Sequence, residues 1–450
     1  MQKKKVGLIA LSLPRERTDL AERFHSNAGT ALKNAGFEVC THEGLIFDSQ
    51  ECIRVARQLK DDGAGCILLL LGTWIDSPTV IDTVRAVDIP FAVWAEDNPA
   101  SFSLTAGGIV HGSLDEFGLK HRFFYGSPSS RELISQVSAY VDAACCSTEL
   151  DGERLCVVGG RVTGMYTTMA DIIQIKEVFG VEMEHVDSLR VYLDAEDLDS
   201  EEVAECKRDV LAQFGVVNLS ERVLDRSVRL YMALKRILVD KGYRMAAVKC
   251  MDEMTNNYCS FCLANSLLND DGFTVSCEGD IYAALTMKIL RTLSEGVALF
   301  GDINHVDHDG KILRIVNCGS MPSSLAESRK DVDLENQYEY LSEAGGAVTV
   351  FSVKGFPATG ARLFRIRGAL GMVAFQGETI RRPKEEFKEA REFWPHAFMK
   401  LDCDTHVLVQ NLRSNHMHVS PGHCLNALRE FCCLKDLKLV VPGEAGPERK

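Results

Sequence analysis

The chain has 450 residues, of which 46% are hydrophobic and 25% are charged, as in an ordinary globular protein. A prior of roughly 150 residues per domain predicts about three domains. The formal net charge of −14 argues against a nucleic-acid-binding protein, because contacts with phosphate need a clustered basic face.

The amino terminus carries a short apolar run that resembles a signal peptide only at its start. The run covers residues 6–13, and Pro14, Arg15 and Glu16 follow where a small-residue cleavage site would stand. No stretch approaches the ~20 apolar residues of a membrane span. Sixteen cysteines are scattered along the chain, several inside apolar runs, which is typical of reduced thiols. These features predict a cytoplasmic protein that does not cross a membrane.

The first part of the chain alternates short apolar runs with amphipathic stretches, the pattern of a parallel sheet covered by helices. It predicts strands at residues 6–10, 66–71 and 91–94, and helices at 20–35 and 51–60. Trp74 follows the second of these strands, where its ring either stacks on a ligand or caps the core. The polar stretch at 147–154 predicts a boundary, so residues 1–147 are expected to form an α/β domain.

The same alternation restarts with a strand at 155–158 and a glycine-rich loop at 159–164. The loop lacks the Lys-Ser/Thr pair of a P-loop and a full GxGxxG, so it is predicted to be a strand-to-helix turn. Further strands are predicted at 184–189, 216–217 and 246–249, and the acidic block 194–205 is predicted to begin a solvated helix. Residues 148–294 are therefore expected to form a second Rossmann-like domain.

A strand, a helix and a second strand are predicted between residues 273 and 302. The first apolar run ends at Glu278, a helical pattern follows, and a strand at 297–300 precedes Asp302. Both carboxylates would then lie past the carboxyl ends of strands, where open α/β sheets bind ligands, and a divalent cation would relieve their repulsion. The alternative is that Glu278 and Asp280 only begin the helix, where carboxylates offset the helix dipole.

Beyond Asp302 the pattern becomes rich in β-structure. Runs at 311–316, 347–353, 360–366 and 370–375 predict an antiparallel or barrel-like domain over residues 295–450. His416, His418 and His423 follow, before an amphipathic helix at 425–434. These histidines are candidates for a metal site, but their spacing alone does not choose among them.

Cys259 and Cys262 form a lone CxxC pair. A structural zinc site would need a second pair of ligands at suitable spacing, and none lies nearby in the sequence. The two residues are therefore predicted to face inward from one helix turn.

Two motifs together resemble a known family. They are CEGD at residues 277–280, with Asp302 downstream, and NHMHVSPGH at residues 415–423, followed by a helix. This combination resembles the L-fucose and L-arabinose isomerase family, on its L-fucose isomerase side. The resemblance is sharpest at residues 249–323 and 394–434, and most of the chain follows the organisation of two Rossmann-like domains and a β-rich one.

The resemblance implies that Glu278, Asp302 and His416 bind a metal, usually Mn²⁺, although other divalent cations are compatible. Asn415 and His423 match flanking positions of the motif and are expected to contact the substrate. The carboxylates Glu278 and Asp302 are also expected to be the catalytic residues.

The resemblance extends to assembly. Trp74 is similar to a tryptophan that the family sends into the active site of a neighbouring subunit, which implies a homo-trimer or homo-hexamer with active sites at subunit interfaces. The stretch Asn317-Cys318-Gly319 stands where the arabinose branch has a histidine ligand, which argues against that branch's metal set.

Together, these implications predict an aldose–ketose isomerase, an intramolecular oxidoreductase that moves a proton between C2 and C1 of a sugar through a cis-enediol. The two carboxylates would act as base and acid, and the metal as a Lewis acid. The alternatives are the same chemistry on another or a charged sugar, such as a sugar acid or a sulfonated sugar, and a non-catalytic sugar-binding protein. A metal hydrolase has less support, because the sequence contains no HExxH.

Overall fold

A computed structural model describes residues 3–294, 296–337 and 344–444, which divide into two compact units. The first unit contains the described residues up to Asp151 together with Asn426–Asp436. The second contains the described residues from Gly152 to Leu425 and from Leu437 onward. The predicted division into three domains, at residues 147 and 294, is finer than this and stays a prediction.

The first unit is a parallel five-stranded sheet covered by helices, in the order β2-β1-β3-β4-β5. Its elements are β1 (Lys5–Leu11), α1 (Thr18–Asn34), β2 (Glu38–Thr41), α2 (Ser49–Asp61), β3 (Cys66–Leu71), α3 (Ser77–Ala86), β4 (Phe91–Ala95), α4 (Ser103–Glu116), β5 (Arg122–Tyr125) and α5 (Arg131–Leu150). A late helix, Leu425–Leu434, belongs to this unit from Asn426 onward. Every residue of β3 is buried, because helices cover both faces of a parallel sheet.

The second unit begins with a four-stranded parallel sheet in the order β10-β9-β6-β7. The elements of this part are β6 (Arg154–Val158), α6 (Ile172–Phe179), β7 (Glu182–Val186), α7 (Ser188–Glu196), α8 (Ser200–Gln213), β8 (Val217–Asn218), α9 (Glu221–Lys241), β9 (Met245–Val248), α10 (Glu253–Asn257), α11 (Cys262–Asp270), β10 (Thr274–Cys277) and α12 (Ile281–Leu293). The predicted α/β class of both parts is confirmed.

Two predictions in this region are wrong in detail. The strand predicted at 184–189 ends at Val186, because Asp187 caps helix α7 by accepting a hydrogen bond from the backbone N–H of Leu189 at 2.9 Å. The strand predicted at 216–217 corresponds to β8, which pairs outside the parallel sheet, with Leu334 and Glu335. The apolar residues predict that both stretches form strands. They do not predict the helix cap at Asp187 or the strand with which β8 pairs.

The remaining part of the second unit is rich in β-structure, and most of its strand pairs are antiparallel. Its elements are β11 (Leu299–Asp307), β12 (Ile312–Val316), β13 (Asp333–Asn336), β14 (Ala347–Val350), β15 (Phe356–Ile366), β16 (Ala369–Thr379), β17 (His396–Leu401), α13 (Thr405–Asn411), β18 (His416–Pro421) and β19 (Lys438–Val440). Six strands follow the order β15-β18-β11-β12-β17-β16, and β16 pairs back to β15 along its whole length. The predicted barrel-like region is therefore confirmed.

Strand β11 differs from the prediction in a way that matters for the site. The sequence pattern predicts that it ends at residue 300 within a parallel sheet, with Asp302 beyond its end. Instead it runs from Leu299 through Asp302 to Asp307 and belongs to the barrel. Its later residues are partly exposed and carry polar side chains, so this part of the sequence has the composition of a loop. The strand pairing nevertheless continues through these residues.

The length and polarity of the helices bear on membrane crossing. Within residues 3–294, 296–337 and 344–444, no helix combines the length and apolar character needed to cross a bilayer.

Candidate active site

A sharp turn at the end of β10 positions Glu278. Glu278 and Gly279 both have a positive φ, 60° and 63°, which few residues other than glycine adopt. A Cβ atom on Gly279 would lie 2.3 Å from the carbonyl oxygen of Gly160, so the glycine-rich loop packs directly against this turn. The turn ends at Asp280, which caps α12 by accepting a hydrogen bond from the N–H of Ala283 at 2.9 Å.

Asp302 and His416 meet through strand pairing. They are direct partners on the antiparallel strands β11 and β18, a register that places opposite side chains close together. The amide of Asn415 donates a hydrogen bond to Asp302 Oδ1 at 2.8 Å. His416 is fully buried, whereas the Asp302 side chain is 29% exposed and Asn415 is exposed. The site therefore opens to solvent on the side of Asp302.

Glu278, Asp302 and His416 converge. One potential ligand atom from each lies within 4.8 Å of the other two. His416 Nε2 is 3.0 Å from Glu278 Oε2 and 3.7 Å from Asp302 Oδ1. The structure thus brings together the three residues that the family resemblance implies as metal ligands.

The chemistry of these donors fits a divalent cation. Two carboxylates and an imidazole are ligands that Mn²⁺ and similar ions accept. In the described part of the chain, His416 is the ion-pair partner of both Glu278 and Asp302, and no Lys or Arg pairs with either. A single imidazolium offsets only half of the charge of the two carboxylates, whereas a divalent cation offsets all of it.

Asp280 holds His416 from the opposite side. Asp280 Oδ2 is 2.6 Å from His416 Nδ1 and 2.8 Å from Arg362 Nη1, and both Asp280 and His416 have no exposed surface. This contact fixes a proton on Nδ1 and directs Nε2 toward Glu278 and Asp302, as outer carboxylates do around metal-binding histidines. Asp280 therefore does begin the helix, in agreement with the alternative prediction, and also orients a candidate ligand.

Arg362 is a further member of the site that the sequence analysis does not single out. It is 1% exposed, its Nη2 donates to the carbonyl of Thr167 at 3.0 Å, and its Nη1 lies 3.2 Å from His418 Nε2. The available signal is an arginine inside the predicted strand 360–366, between Ala361 and Leu363. Arg362 balances the charge of Asp280, which leaves the charge of the other two carboxylates for a metal.

The metal-free site has strongly perturbed acids and bases. Burial raises the pKa of Glu278 to about 7 and also raises the pKa of Asp302. Burial alone would raise the pKa of Asp280, but the charge of Arg362 and the hydrogen bond to His416 lower it to about 2. Burial alone would lower the pKa of His416, but hydrogen bonds with Asp280 and Glu278 raise it to about 10. Without a cation, His416 thus holds a proton between two carboxylates.

The other predicted site residues lie outside this cluster. His418 is buried beside Arg362, and His423 is exposed, with Nε2 at 3.3 Å from the carbonyl oxygen of Gly377. Trp74 follows β3 in the first unit and is half-buried. The predicted substrate contacts of Trp74, Asn415 and His423 stay predictions.

The CxxC pair does not lie on one helix turn. Helix α11 begins at Cys262, so Cys259 precedes it, although both side chains are buried as predicted. Cys262 Sγ lies 4.0 Å from Cys318 Sγ.

The chain is similar to a protein family and to named proteins. Residues 315–441 match the family model described as the L-fucose isomerase C-terminal domain. A sulfoquinovose isomerase of Alkalicoccus urumqiensis is 25% identical over 68% of this chain and 73% of its own length. A sulfoquinovose isomerase of Priestia megaterium is 22% identical over 78% of this chain and 82% of its own length. One of Clostridium sp. (strain MSTE9) is 24% identical over 58% of this chain and 59% of its own length.

Proposed function

The predicted resemblance to the L-fucose isomerase family is confirmed, with residues 315–441 matching that family's C-terminal domain, and from this premise we propose that the chain is a metal-dependent aldose–ketose isomerase. The curated relatives confirm that it is an enzyme of the sugar isomerase class. The metal dependence, the mechanism and the substrate are the proposal.

The observation that carries the proposal is the convergence of Glu278, Asp302 and His416 in a largely buried site. These residues would hold the cation, for which we propose Mn²⁺. A bound divalent cation supplies Lewis-acid stabilisation of negative charge on the sugar oxygens. The charge balance supports this, since Arg362 already pairs with Asp280.

The chain's own residues carry the proton. Glu278 and Asp302 act as base and acid on either side of the cis-enediol, one removing the proton at C2 and the other returning a proton at C1. Asn415 holds Asp302 through its amide, and Asp280 holds the ring of His416. The exposed side of Asp302 admits the sugar, whereas the burial of Glu278 keeps bulk water from the developing charge.

The substrate we propose is a sulfonated aldose. The support is that the curated relatives are named sulfoquinovose isomerases. An anionic sugar calls for a cation within reach of its sulfonate, and Lys249 offers one beside the site: its Cβ lies 3.6 Å from the place that a Cβ of Gly279 would occupy, next to Glu278. Lys249 pairs with the exposed carboxylate of Glu253 at 2.8 Å, a partner that a sulfonate could replace.

Further parts of the proposal concern assembly and location. We propose a homo-trimer or homo-hexamer in which Trp74 contributes to the active site of a neighbouring subunit. A cytoplasmic location is supported by the sixteen cysteines, all of which are free thiols in the structure.

The test is ketose formation from a panel of neutral and sulfonated aldoses, with protein that has been stripped by a chelator and reloaded with Mn²⁺. We expect turnover only after reloading, with a sulfonated aldose preferred. Lys249→Met should raise KM for the sulfonated sugar and leave KM for a neutral aldose unchanged. Turnover by the stripped protein would contradict metal dependence, and equal KM changes for both sugars would contradict the role of Lys249.

A further inference from the structure

Four free cysteines meet beside Glu278. Cys250 follows β9, Cys262 begins α11, Cys277 ends β10 and Cys318 follows β12. Three of the four are buried and Cys318 is half-buried. The four cysteines come from four separate segments of the second unit. The sequence therefore shows Cys262 as part of a CxxC pair, but it does not show that the four residues form a group.

Two of these sulfur atoms and the carboxylate of Glu278 are close enough to share a metal ion. Cys318 Sγ is 4.0 Å from Cys262 Sγ, and Cys250 and Cys277 line the same small cavity as these two residues. The sulfurs of Cys277 and Cys318 and a carboxylate oxygen of Glu278 all lie within 4.8 Å of one another. Metal–sulfur distances of ~2.3 Å in a tetrahedral zinc site imply sulfur separations of roughly 3.8 Å, which is comparable with the 4.0 Å between the sulfurs of Cys318 and Cys262.

The four cysteines line one small cavity. It has a volume of about 20 Å³, and Glu278, Ser260 and Gln337 also line it. A space of this size holds roughly one water molecule or one ion. The hydroxyl of Ser260 is buried and has no hydrogen-bond partner among the residues that the structure describes, as expected beside a site that takes a ligand.

We propose that Cys277, Cys318 and the carboxylate of Glu278, with Cys250 and Cys262 lining the same cavity, form a second cation site that binds a thiophilic ion such as Zn²⁺ or Cd²⁺. Each coordinating thiol releases its proton to solvent as the cation binds. Sulfur ligands select such ions, whereas the carboxylates and imidazole of the neighbouring site suit harder ones.

The two sites share Glu278. Its carboxylate belongs both to the cluster with Asp302 and His416 and to the cluster with Cys277 and Cys318. A thiophilic ion in the sulfur site would therefore attract Glu278 away from the first cluster and inhibit the enzyme. This consequence, unlike the sulfur site itself, rests on the proposed isomerase function.

The experiment is a Cd²⁺ titration of the chelator-treated, fully reduced protein, followed by the thiolate-to-Cd²⁺ charge-transfer absorbance. We expect one high-affinity Cd²⁺ per chain, and we expect excess Mn²⁺ to leave its binding unchanged. Cys318→Ser should weaken this binding by at least about tenfold, because a ligand is lost. Cys403→Ser replaces a half-buried cysteine of the same unit outside the cluster and should bind as the wild type does.

Several results would overturn the proposal. They are an absent charge-transfer band, a Cys318→Ser titration equal to that of the wild type, or an equal loss in Cys403→Ser. If Cys318→Ser misfolds by circular dichroism, Cys277→Ser takes its place with the same expected loss, because Cys277 is the other proposed sulfur ligand. Cd²⁺ binding that leaves Mn²⁺-dependent turnover intact would overturn the sharing of Glu278, and Cd²⁺ binding by a protein that turns over no sugar would refute the isomerase function but keep the sulfur site.

Discussion

Asp280→Asn separates the structural and the metal-orienting roles of one buried carboxylate. The substitution keeps the shape of the side chain and removes its charge. Asp280 has no exposed surface and contacts both Arg362 Nη1, at 2.8 Å, and His416 Nδ1, at 2.6 Å. In the variant, the guanidinium of Arg362 remains buried without the carboxylate that balances it.

The expected magnitude follows from these contacts. Removing one partner of a buried ion pair costs roughly 3–5 kcal/mol of unfolding free energy, because the other charge stays uncompensated. The asparagine oxygen can still accept the hydrogen bond from the N–H of Ala283, so the ~1 kcal/mol of the helix cap is retained. The loss of the carboxylate behind His416 should weaken Mn²⁺ binding by about 10- to 100-fold.

Urea unfolding of the metal-free protein and calorimetric titration with Mn²⁺ measure the two effects. Asp171→Asn is the matched control, because Asp171 is an exposed cap of α6 that accepts hydrogen bonds from the N–H groups of Ile173 and Gln174. The double variant Asp280→Asn/Arg362→Met should recover most of the stability, since no unpaired charge remains, but should not recover Mn²⁺ affinity. A single variant as stable as the wild type, or a double variant no more stable than the single, would refute the reasoning.

Three further predictions concern backbone, pH and orientation. Gly279→Ala places a Cβ 2.3 Å from the Gly160 carbonyl oxygen and should abolish turnover. The control Gly160→Ala places a Cβ that meets no atom within 4 Å, so it should keep turnover and lower the free energy of unfolding in urea by about 1–2 kcal/mol. Equal activities of the two variants would contradict the close packing of Gly279 against Gly160. Burial lowers the pKa of His396 to about 4, so the folded state binds fewer protons than the unfolded state below about pH 6.5. Stability should therefore fall as the pH drops from 6.5 toward 4, by on the order of 3 kcal/mol, and His396→Gln should flatten that slope. Asn415→Ala removes the hydrogen bond to Asp302 and should lower kcat about tenfold with little change in KM; a change in KM alone would assign Asn415 to binding.

The parts of the fold that the sequence predicts well are those fixed by local patterns. The six apolar residues of β3 are predicted at their observed bounds, because a strand buried on both faces is a continuous apolar run. The helix Leu425–Leu434 is equally local, since its buried residues recur at helical spacing.

The parts that the sequence does not predict depend on distant partners. The continuation of β11 through Asp302 depends on its pairing with β12 and β18, which supply hydrogen bonds to a polar segment. The motif identifies the three candidate metal ligands, but it does not reveal that Asp302 reaches His416 through strand register rather than at the end of a parallel strand.

The supporting residues of the site are invisible to sequence analysis for the same reason. Asp280 is a plausible helix cap and Arg362 an unexplained charge in a strand until the fold brings them to 2.8 Å. The sulfur cluster likewise joins Cys250 and Cys318, which no spacing rule connects.

The central claim is that a divalent cation held by Glu278, Asp302 and His416 supports proton transfer at C2 of a sugar. The most direct test is the exchange of the C2 hydrogen with solvent deuterium, followed by NMR, for chelator-treated protein with and without Mn²⁺ and for Glu278→Gln. Glu201→Gln, an exposed carboxylate in the first turn of α8, is the control. We predict exchange only with Mn²⁺ in the wild type and the control, and its loss by about 10²- to 10⁴-fold in folded Glu278→Gln. Exchange that persists without metal, or in Glu278→Gln at the wild-type rate, would contradict the claim.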